Sequence, residues 1–248
     1  MKLGIYYTLG DLGLAESVAI LKGATKGGAV LLEVGLPFSD PLLDGPVIQQ
    51  SHFRALSTQE IRWKNICDAL KELTSIPGIQ VSVMTSSQLL YDATRRAQLP
   101  KVDGLLVTDL PHSKKSPFPL PSPRVWFLSQ DVVLGPKFSK PNEILSMVYL
   151  ARLQGVTGAG QAAASTTAAA LQKIRSVTNA PIWLGFGIST RDDLQEIKSM
   201  GADGAIVGSA FVKAVNEYAA SLPKDLLATD RVHSLETFSE HWTRALLA

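Results

Sequence analysis

Short apolar runs alternate along the chain with longer segments in which apolar residues recur at helical spacing. Eight apolar runs predict strands at residues 3–7, 30–34, 79–84, 104–107, 125–128, 147–150, 182–186 and 205–207. Helical patterns cover residues 14–22, 58–73, 87–97, 162–174, 191–200, 211–222 and 234–247. Regular alternation of this kind predicts right-handed crossovers and a parallel sheet covered by helices.

Eight strand and helix units in 248 residues match the usual size of a (β/α)₈ barrel. We therefore predict an α/β fold, with one TIM barrel domain spanning residues 1–248. The fifth unit is the weakest, because residues 116–123 are crowded with proline and Gly135-Pro136 shortens the helix that follows. A doubly wound open sheet is the alternative architecture.

Composition excludes several classes of protein. The 24 basic and 22 acidic residues are spread along the chain, so no basic stripe indicates nucleic-acid binding. The single cysteine, Cys67, excludes an intrachain disulfide and is predicted to be buried. The four histidines lack metal-ligand spacing, so no metal site is predicted. No segment resembles a signal peptide or a membrane helix, and we expect a soluble, cytoplasmic protein.

A carboxylate interrupts the second apolar run and others follow it closely. Glu33 lies between apolar neighbours, where a charge is costly unless a partner or substrate compensates it. A lone buried glutamate is more often half of a structural ion pair than a catalytic group. Here, however, a loop rich in proline and glycine holds Asp40 and Asp44 at bends just beyond the strand, which favours an active site.

Glycine-rich turns follow the last two predicted strands. Gly185-Phe186-Gly187 and Gly208-Ser209 would let backbone N–H groups approach an anion at a helix N-terminus. In many barrels these two positions form a phosphate site. A further glycine turn, Gly155-Val-Thr-Gly158, follows the sixth strand and is interpreted either as a lid over a ligand or as a flexible loop without ligand contact.

With these motifs assembled, the chain resembles the tryptophan synthase alpha subunit from Thr8 to about Lys213. The motifs that carry the resemblance are Thr8-Leu-Gly-Asp11, the run from Glu33 to Pro46, Thr108-Asp-Leu-Pro111, Tyr149, Gly155-Val-Thr-Gly158, Gly185-Phe-Gly-Ile-Ser189 and Gly208-Ser-Ala210. The resemblance implies a lyase of tryptophan biosynthesis that cleaves indole-3-glycerol phosphate to indole and glyceraldehyde 3-phosphate. It also implies an alpha2beta2 tetramer in which the alpha chain activates the beta subunit. Pyridoxal phosphate would belong to that beta subunit, and this chain would need no cofactor.

The resemblance also implies roles for individual residues. Glu33 would be the acid/base of the retro-aldol step, and Asp44 would accept a hydrogen bond from the indole N–H. Pro37, Asp40 and Asp109 would belong to the interface with the beta subunit. Substrate contacts are implied for Tyr149, Thr157, Gly158, Phe186, Gly187, Gly208 and Ser209, of which Gly158, Gly187, Gly208 and Ser209 would hold the phosphate.

The chain departs from the family pattern in three places. We expect no helix before the first predicted strand, where the family usually has one. Ser86 and Gln88 lie where the family usually supplies Tyr and Asn beside the active site, and Leu153 replaces an arginine. These departures raise a second hypothesis, an impaired alpha-like subunit that acts mainly as an activator of the beta subunit. A third is another phosphate-sugar barrel enzyme, such as an isomerase or epimerase, although such enzymes do not need the Pro37-Phe-Ser-Asp-Pro41 segment.

Overall fold

The protein is described here by a computed structural model that covers residues 1–42, 44–136, 138, 143, 145–151, 160–185 and 187–248, with backbone only for residues 160–164. Within these residues, the strands are β1 (Lys2–Thr8), β2 (Leu31–Gly35), β3 (Gln80–Thr85), β4 (Gly104–Val107), β5 (Arg124–Ser129), β6 (Leu145–Ala151), β7 (Ile182–Gly185) and β8 (Gly204–Val207). The helices are α1 (Leu14–Lys26), α2 (Pro46–Leu56), α3 (Trp63–Thr74), α4 (Ser87–Leu90), α5 (Ala93–Gln98), α6 (Gln130–Leu134), α7 (Gly160–Arg175), α8 (Arg191–Ser199), α9 (Ser209–Ser221) and α10 (Ala228–Leu247).

The strands close into a parallel barrel in sequence order. Each strand pairs with the next, and β8 returns to β1, with Lys2 opposite Gly204 and Ile5 opposite Val207. The prediction of a (β/α)₈ barrel is confirmed. The alternative of a doubly wound sheet was wrong, because such a sheet keeps two open edges.

Alternation along the strands decides which side chains enter the barrel. A Cβ atom added to Gly4 would lie 3.0 Å from Ile206 and 3.2 Å from Leu31, so these three positions share the barrel interior. Since side chains alternate with a period of two, Glu33 on β2 faces the same interior one layer higher. Tyr6 of β1 lies opposite Glu33 in the strand register and joins that upper layer.

Several helix boundaries differ from the sequence prediction. The helix predicted at 87–97 is two short helices, because the Asp92 side chain accepts hydrogen bonds from the N–H groups of Thr94 and Arg95 and caps α5. Helix α2 was not predicted, and α3 begins at Trp63 rather than at residue 58. The weak fifth unit is confirmed, since α6 has only five residues.

The C-terminal helix closes the outer ring, as predicted. A Cβ atom at Gly23 of α1 would lie 2.1 Å from the Glu236 carbonyl oxygen, so glycine permits the close crossing of α1 and α10. The Ser239 hydroxyl adds a 2.6 Å hydrogen bond to the Ile20 carbonyl oxygen. At the other end, β1 begins at Lys2, and no described residue before it is helical. Cys67 is buried, as predicted.

Candidate functional site

A cavity of about 230 Å³ opens at the C-terminal ends of the strands. It brings together side chains and turns from both ends of the sequence. The lining residues are Tyr6, Glu33, Asp44, Ile48, Met84, Thr108, Phe127, Tyr149, Gly187, Ile188, Ser189, Ile206, Gly208, Ser209 and Ala210. Six of the residues predicted from the sequence therefore lie around one cavity: Glu33, Asp44, Tyr149, Gly187, Gly208 and Ser209.

Glu33 is a buried acid at the cavity wall. The residue is 1% exposed, and its Oε1 has no hydrogen-bond partner among the described residues. Burial, and to a smaller extent the charge of Asp44, raise the pKa of Glu33 to about 8. Burial favours the neutral form of a carboxyl group because the charged form loses its hydration. Glu33 therefore carries a proton at neutral pH and can donate it.

Asp44 is a second buried carboxyl group with a different charge state. Its side chain is 7% exposed, and its Oδ2 has no hydrogen-bond partner in the described part of the chain. Burial raises the pKa of Asp44 to about 6, two units below that of Glu33. At pH 7 the cavity thus holds one carboxylate and one carboxylic acid, which is the pattern expected of an acid and an electrostatic stabiliser.

Tyr149 lies close against β7. A Cβ atom at Gly185 would lie 1.8 Å from the Tyr149 hydroxyl oxygen, so only glycine at this position leaves room for the ring. Phe127 packs on the other side, with ring centroids 5.4 Å apart. Burial, followed by the charges of Glu33 and Asp44, raises the pKa of Tyr149 well above its ordinary value. The phenol therefore stays neutral. Its ring forms an apolar part of the cavity wall, and its hydroxyl group is the one polar atom of the side chain.

The two glycine turns differ in what they leave open for a ligand. The N-terminus of α8 is closed by its own capping box, in which Asp193 accepts hydrogen bonds from the backbone N–H groups of Ser189 and Thr190 at 2.8 Å. Helix α9 begins at Ser209 directly on the cavity, and Gly208 has no side-chain cap hydrogen bond. Its first N–H groups have no partner within the helix, so this helix end is chemically able to accept an anion.

The predicted partner-interface residues lie outside the cavity. Pro37 is buried, whereas Asp40 is exposed. Asp109 is exposed and accepts hydrogen bonds from the N–H and the hydroxyl of Ser87 at 2.7 and 2.5 Å. Three predicted substrate-contact residues, Thr157, Gly158 and Phe186, lie outside the described residues, as does Leu153.

The motif Thr8 to Asp11, one of those that carry the family resemblance, does not line the cavity. The buried Asp11 carboxylate accepts hydrogen bonds from Arg54 at 2.7 and 3.0 Å and from Asn216 at 3.1 Å, so it joins β1 to α2 and α9. This ion pair is structural. Thr8 is buried, and its hydroxyl group is hydrogen-bonded to the hydroxyl groups of Tyr6 and Ser51.

Sequence reasoning missed several cavity residues. Tyr6 lies opposite Glu33 in the strand register, and Met84 lies opposite Gly35, two residues beyond Glu33 on the same inward face. Counting by two along each strand would have found both. Of the two unusual residues after β3, Ser86 is buried with its hydroxyl unpaired among the described residues, whereas Gln88 is exposed. Thr108, Phe127 and the other lining residues carry no distinctive sequence signal.

The described residues lack two other kinds of feature. No group of three or more His, Cys, Asp or Glu side chains in this part of the chain is arranged to hold a metal ion. Among the described helices, none combines the length and the apolar character needed to cross a bilayer.

Comparison with known proteins gives a consistent result. A family model described as tryptophan synthase alpha chain matches residues 2–122 and 141–240. The tryptophan synthase alpha chain of Carboxydothermus hydrogenoformans is 34% identical over 258 residues, covering 95% of this chain and 93% of the relative. That of Shewanella amazonensis is 33% identical over 233 residues, covering 88% of this chain and 86% of the relative.

Solved structures agree with the sequence matches. A structure described as the basis of mutual activation of the tryptophan synthase α2β2 complex from Pyrococcus furiosus superposes with a TM-score of 0.76 at 26% identity. The match covers 99% of this chain and 97% of that chain. Together with the family match over most of the sequence, these comparisons establish that the chain belongs to the tryptophan synthase alpha chain family.

Proposed function

We propose that this protein cleaves indole-3-glycerol phosphate to indole and glyceraldehyde 3-phosphate as the alpha subunit of a tryptophan synthase. The observation that carries the proposal is the pair of buried carboxyl groups on one cavity, each with an oxygen that has no partner among the described residues. Unpaired buried polar atoms are costly, and a substrate that supplies their partners relieves that cost.

Glu33 suits both proton transfers of a retro-aldol cleavage. Because it is protonated at neutral pH, it can donate its proton to indole C3. The bond between C3 and the glycerol carbon then breaks, its electrons return to the indole ring, and the glycerol hydroxyl proton passes to the Glu33 carboxylate. Glu33 is therefore protonated again at the end of the cycle, as it was at the start.

Asp44 suits the stabilisation of the intermediate. Protonation at C3 places positive charge on the indole ring, and an ionised Asp44 can accept a hydrogen bond from the indole N–H. A carboxylate already fixed where positive charge develops lowers the barrier without reorganisation. Tyr149 and Phe127 would cover the indole ring, with Ile48 on the side of α2.

The phosphate would bind at the other end of the cavity. The N-terminus of α9 at Ser209, with Gly208 before it and Gly187 opposite, offers backbone N–H groups and the positive end of a helix dipole. Gly187 has a φ of +70°, a left-handed conformation that favours glycine. Thr157, Gly158 and Phe186 are proposed to complete the substrate contacts.

We also propose a pyridoxal-phosphate-dependent beta subunit as partner, in an α2β2 tetramer in the cytoplasm, with no cofactor required in this chain. Large apolar side chains are exposed on the connections that follow β2, β3 and β5: Leu42 (76% exposed), Tyr91 (64%) and Val132 (41%). These connections share the cavity end of the barrel with Asp40 and Asp109. Exposed apolar side chains grouped at one end favour a docking face.

The comparisons do not favour the hypothesis of an impaired subunit that acts mainly as an activator. The presence of both carboxyl groups, Glu33 and Asp44, on the cavity also supports cleavage. The isomerase or epimerase hypothesis is likewise not favoured, since the family match covers most of the chain.

The deciding assay combines this chain with its beta subunit and measures indole release from indole-3-glycerol phosphate beside conversion of indole and serine to tryptophan. Exposed Glu217→Gln is the matched control for changes of Glu33. Stimulated tryptophan formation without any cleavage would contradict the lyase proposal.

The docking face has its own test. Leu42→Asp is expected to weaken binding to the beta subunit at least tenfold, because it places a charge in the proposed apolar contact. Leu227→Asp is the matched control, since Leu227 is 69% exposed in the connection between α9 and α10 at the opposite end of the barrel. Equal binding by both variants would contradict this location of the interface.

A further inference from the structure

His52 of α2 is a fully buried imidazole immediately beside the cavity. Its Nε2 atom lies 3.2 Å from the Tyr6 hydroxyl oxygen and 3.9 Å from Oδ2 of Asp44. On the other side of the ring, Nδ1 accepts a 3.2 Å hydrogen bond from the backbone N–H of Phe38. The Phe38 ring packs edge-on against the imidazole, with centroids 4.8 Å apart. The imidazole is therefore held in place from the loop that also carries Asp44.

A chain of hydroxyl groups determines where the imidazole proton lies. The Ser51 hydroxyl donates its single proton to the Ile48 carbonyl oxygen at 2.7 Å. Thr8 must then donate to Ser51, and Tyr6 must donate to Thr8, over 2.5 and 3.0 Å. The Tyr6 oxygen can only accept at its remaining contact, so Nε2 of His52 is the donor.

The Phe38 contact gives the same answer independently. A backbone N–H can donate only to a bare nitrogen, so Nδ1 carries no proton and the ring is the neutral Nε2–H form. Burial also lowers the pKa of His52 to about 4, which agrees with a neutral ring at pH 7. The result is a neutral N–H donor beside Tyr6 and Asp44, held in one orientation.

We propose that His52 is a positioning residue for the cleavage reaction, whose Nε2–H is shared between the Tyr6 hydroxyl and the Asp44 carboxylate and holds that carboxylate toward the indole N–H. This inference rests on the proposed function. The 3.9 Å separation is longer than a hydrogen bond, and catalytic hydrogen bonds often tighten only when substrate binds. A rotation of Asp44 that shortens the distance by about 1 Å would complete the bond.

A neutral donor is the right chemical partner for this carboxylate. An imidazolium or lysine would cancel the negative charge that the indole N–H needs, whereas a neutral N–H orients the anion and leaves its charge in place. The other titratable groups facing Asp44 are Glu33, Tyr149 and Tyr6, and all three are neutral at pH 7 because burial raises the pKa of each. Among these groups, Asp44 therefore carries the negative charge that the Nε2–H of His52 faces.

Three substitutions of His52 separate positioning from packing. His52→Gln keeps a side-chain N–H donor at the ε position, His52→Asn keeps only a group at the δ position, and His52→Leu keeps neither. In the complex with the beta subunit, we expect kcat for indole release to fall about 10- to 100-fold in the Asn and Leu variants. The Gln variant is expected to stay within about threefold of wild type. Equal losses in all three variants, or no loss in any, would overturn the proposal.

A measurement on the chain without substrate tests the same inference independently of activity. In ¹⁵N NMR spectra at pH 7, with the His52 signal identified by its loss in His52→Gln, we expect a protonated Nε2 and a bare Nδ1. Asp44→Asn is expected to shift the Nε2–H resonance. A proton on Nδ1, an imidazolium, or an Nε2–H signal that is unchanged in Asp44→Asn would overturn the inference, even if the Asn and Leu variants of His52 failed to fold. Wild-type protein that shows the expected signals but no cleavage would instead refute the proposed function.

Discussion

Replacing Glu33 with glutamine should abolish cleavage and at the same time stabilise the fold at neutral pH. The change keeps the size and shape of the side chain but removes its ability to exchange a proton. General acid/base catalysis contributes typically 10²- to 10⁴-fold to a rate, so we expect single-turnover cleavage to fall at least about 100-fold. That fall corresponds to about 2.7 kcal/mol of lost transition-state stabilisation.

The gain in stability follows from the raised pKa of Glu33. In the folded state the pKa is about 8, against an ordinary value of 4.5, so the folded protein holds a proton that the unfolded chain releases. The contribution of Glu33 to stability is therefore complete below pH 4.5 and is lost as the pH rises to 8. Each pH unit in this window costs about 1.4 kcal/mol, or roughly 3 kcal/mol by pH 7. Glutamine does not titrate and avoids this loss.

Urea unfolding of wild type and Glu33→Gln between pH 4.5 and pH 9 measures the effect. The free energies of unfolding should agree near pH 4.5 and diverge as the pH rises, with the variant the more stable. The exposed Glu217→Gln control should follow wild type throughout. A Glu33→Gln protein that is less stable than wild type at pH 8, or that shows the same pH slope, would refute the reasoning and indicate that Glu33 is ion-paired in the fold.

Three further predictions concern the surroundings of the carboxyl groups. The pH profile of kcat/KM should be a bell with limbs near 6 and 8, since cleavage needs ionised Asp44 and protonated Glu33. Asp44→Asn should lose both the limb near 6 and most of the rate, and an unchanged acid limb would count against the role of Asp44. Gly185→Ala should raise KM and cost about 1–3 kcal/mol of stability, because its Cβ would meet the Tyr149 hydroxyl 1.8 Å away, whereas Gly45→Ala, with nothing within 4 Å, should have little effect in the same steady-state and urea assays. Arg54→Leu should cost about 3 kcal/mol in urea unfolding, since it leaves the buried Asp11 carboxylate without its cation, and a loss below 1 kcal/mol would contradict that ion pair.

The local pattern predicted the strands, most of the helices and much of the candidate site. Hydrophobic runs located all eight strands within a few residues, because a strand buried on both faces reads as a continuous apolar segment. Glu33 stood out as a charge inside such a run, and the turns at Gly187 and Gly208 stood out as glycine after a strand. Helix ends were less certain, since a single capping side chain such as Asp92 decides them.

The carboxyl ends of parallel strands meet at one end of a barrel, and for that reason sequence alone could assemble Glu33, Asp44 and the glycine turns into one candidate site. Only the tertiary structure decided what surrounds them. Closure of β8 on β1 excluded an open sheet, and the capping of α8 by Asp193 left α9 as the uncapped helix N-terminus on the cavity. The contact of His52 with Tyr6 spans 46 residues, and the raised pKa of Glu33 depends on burial from many elements at once. Periodicity reports only neighbours along the chain, whereas burial, charge state and proton position arise from packing between distant segments.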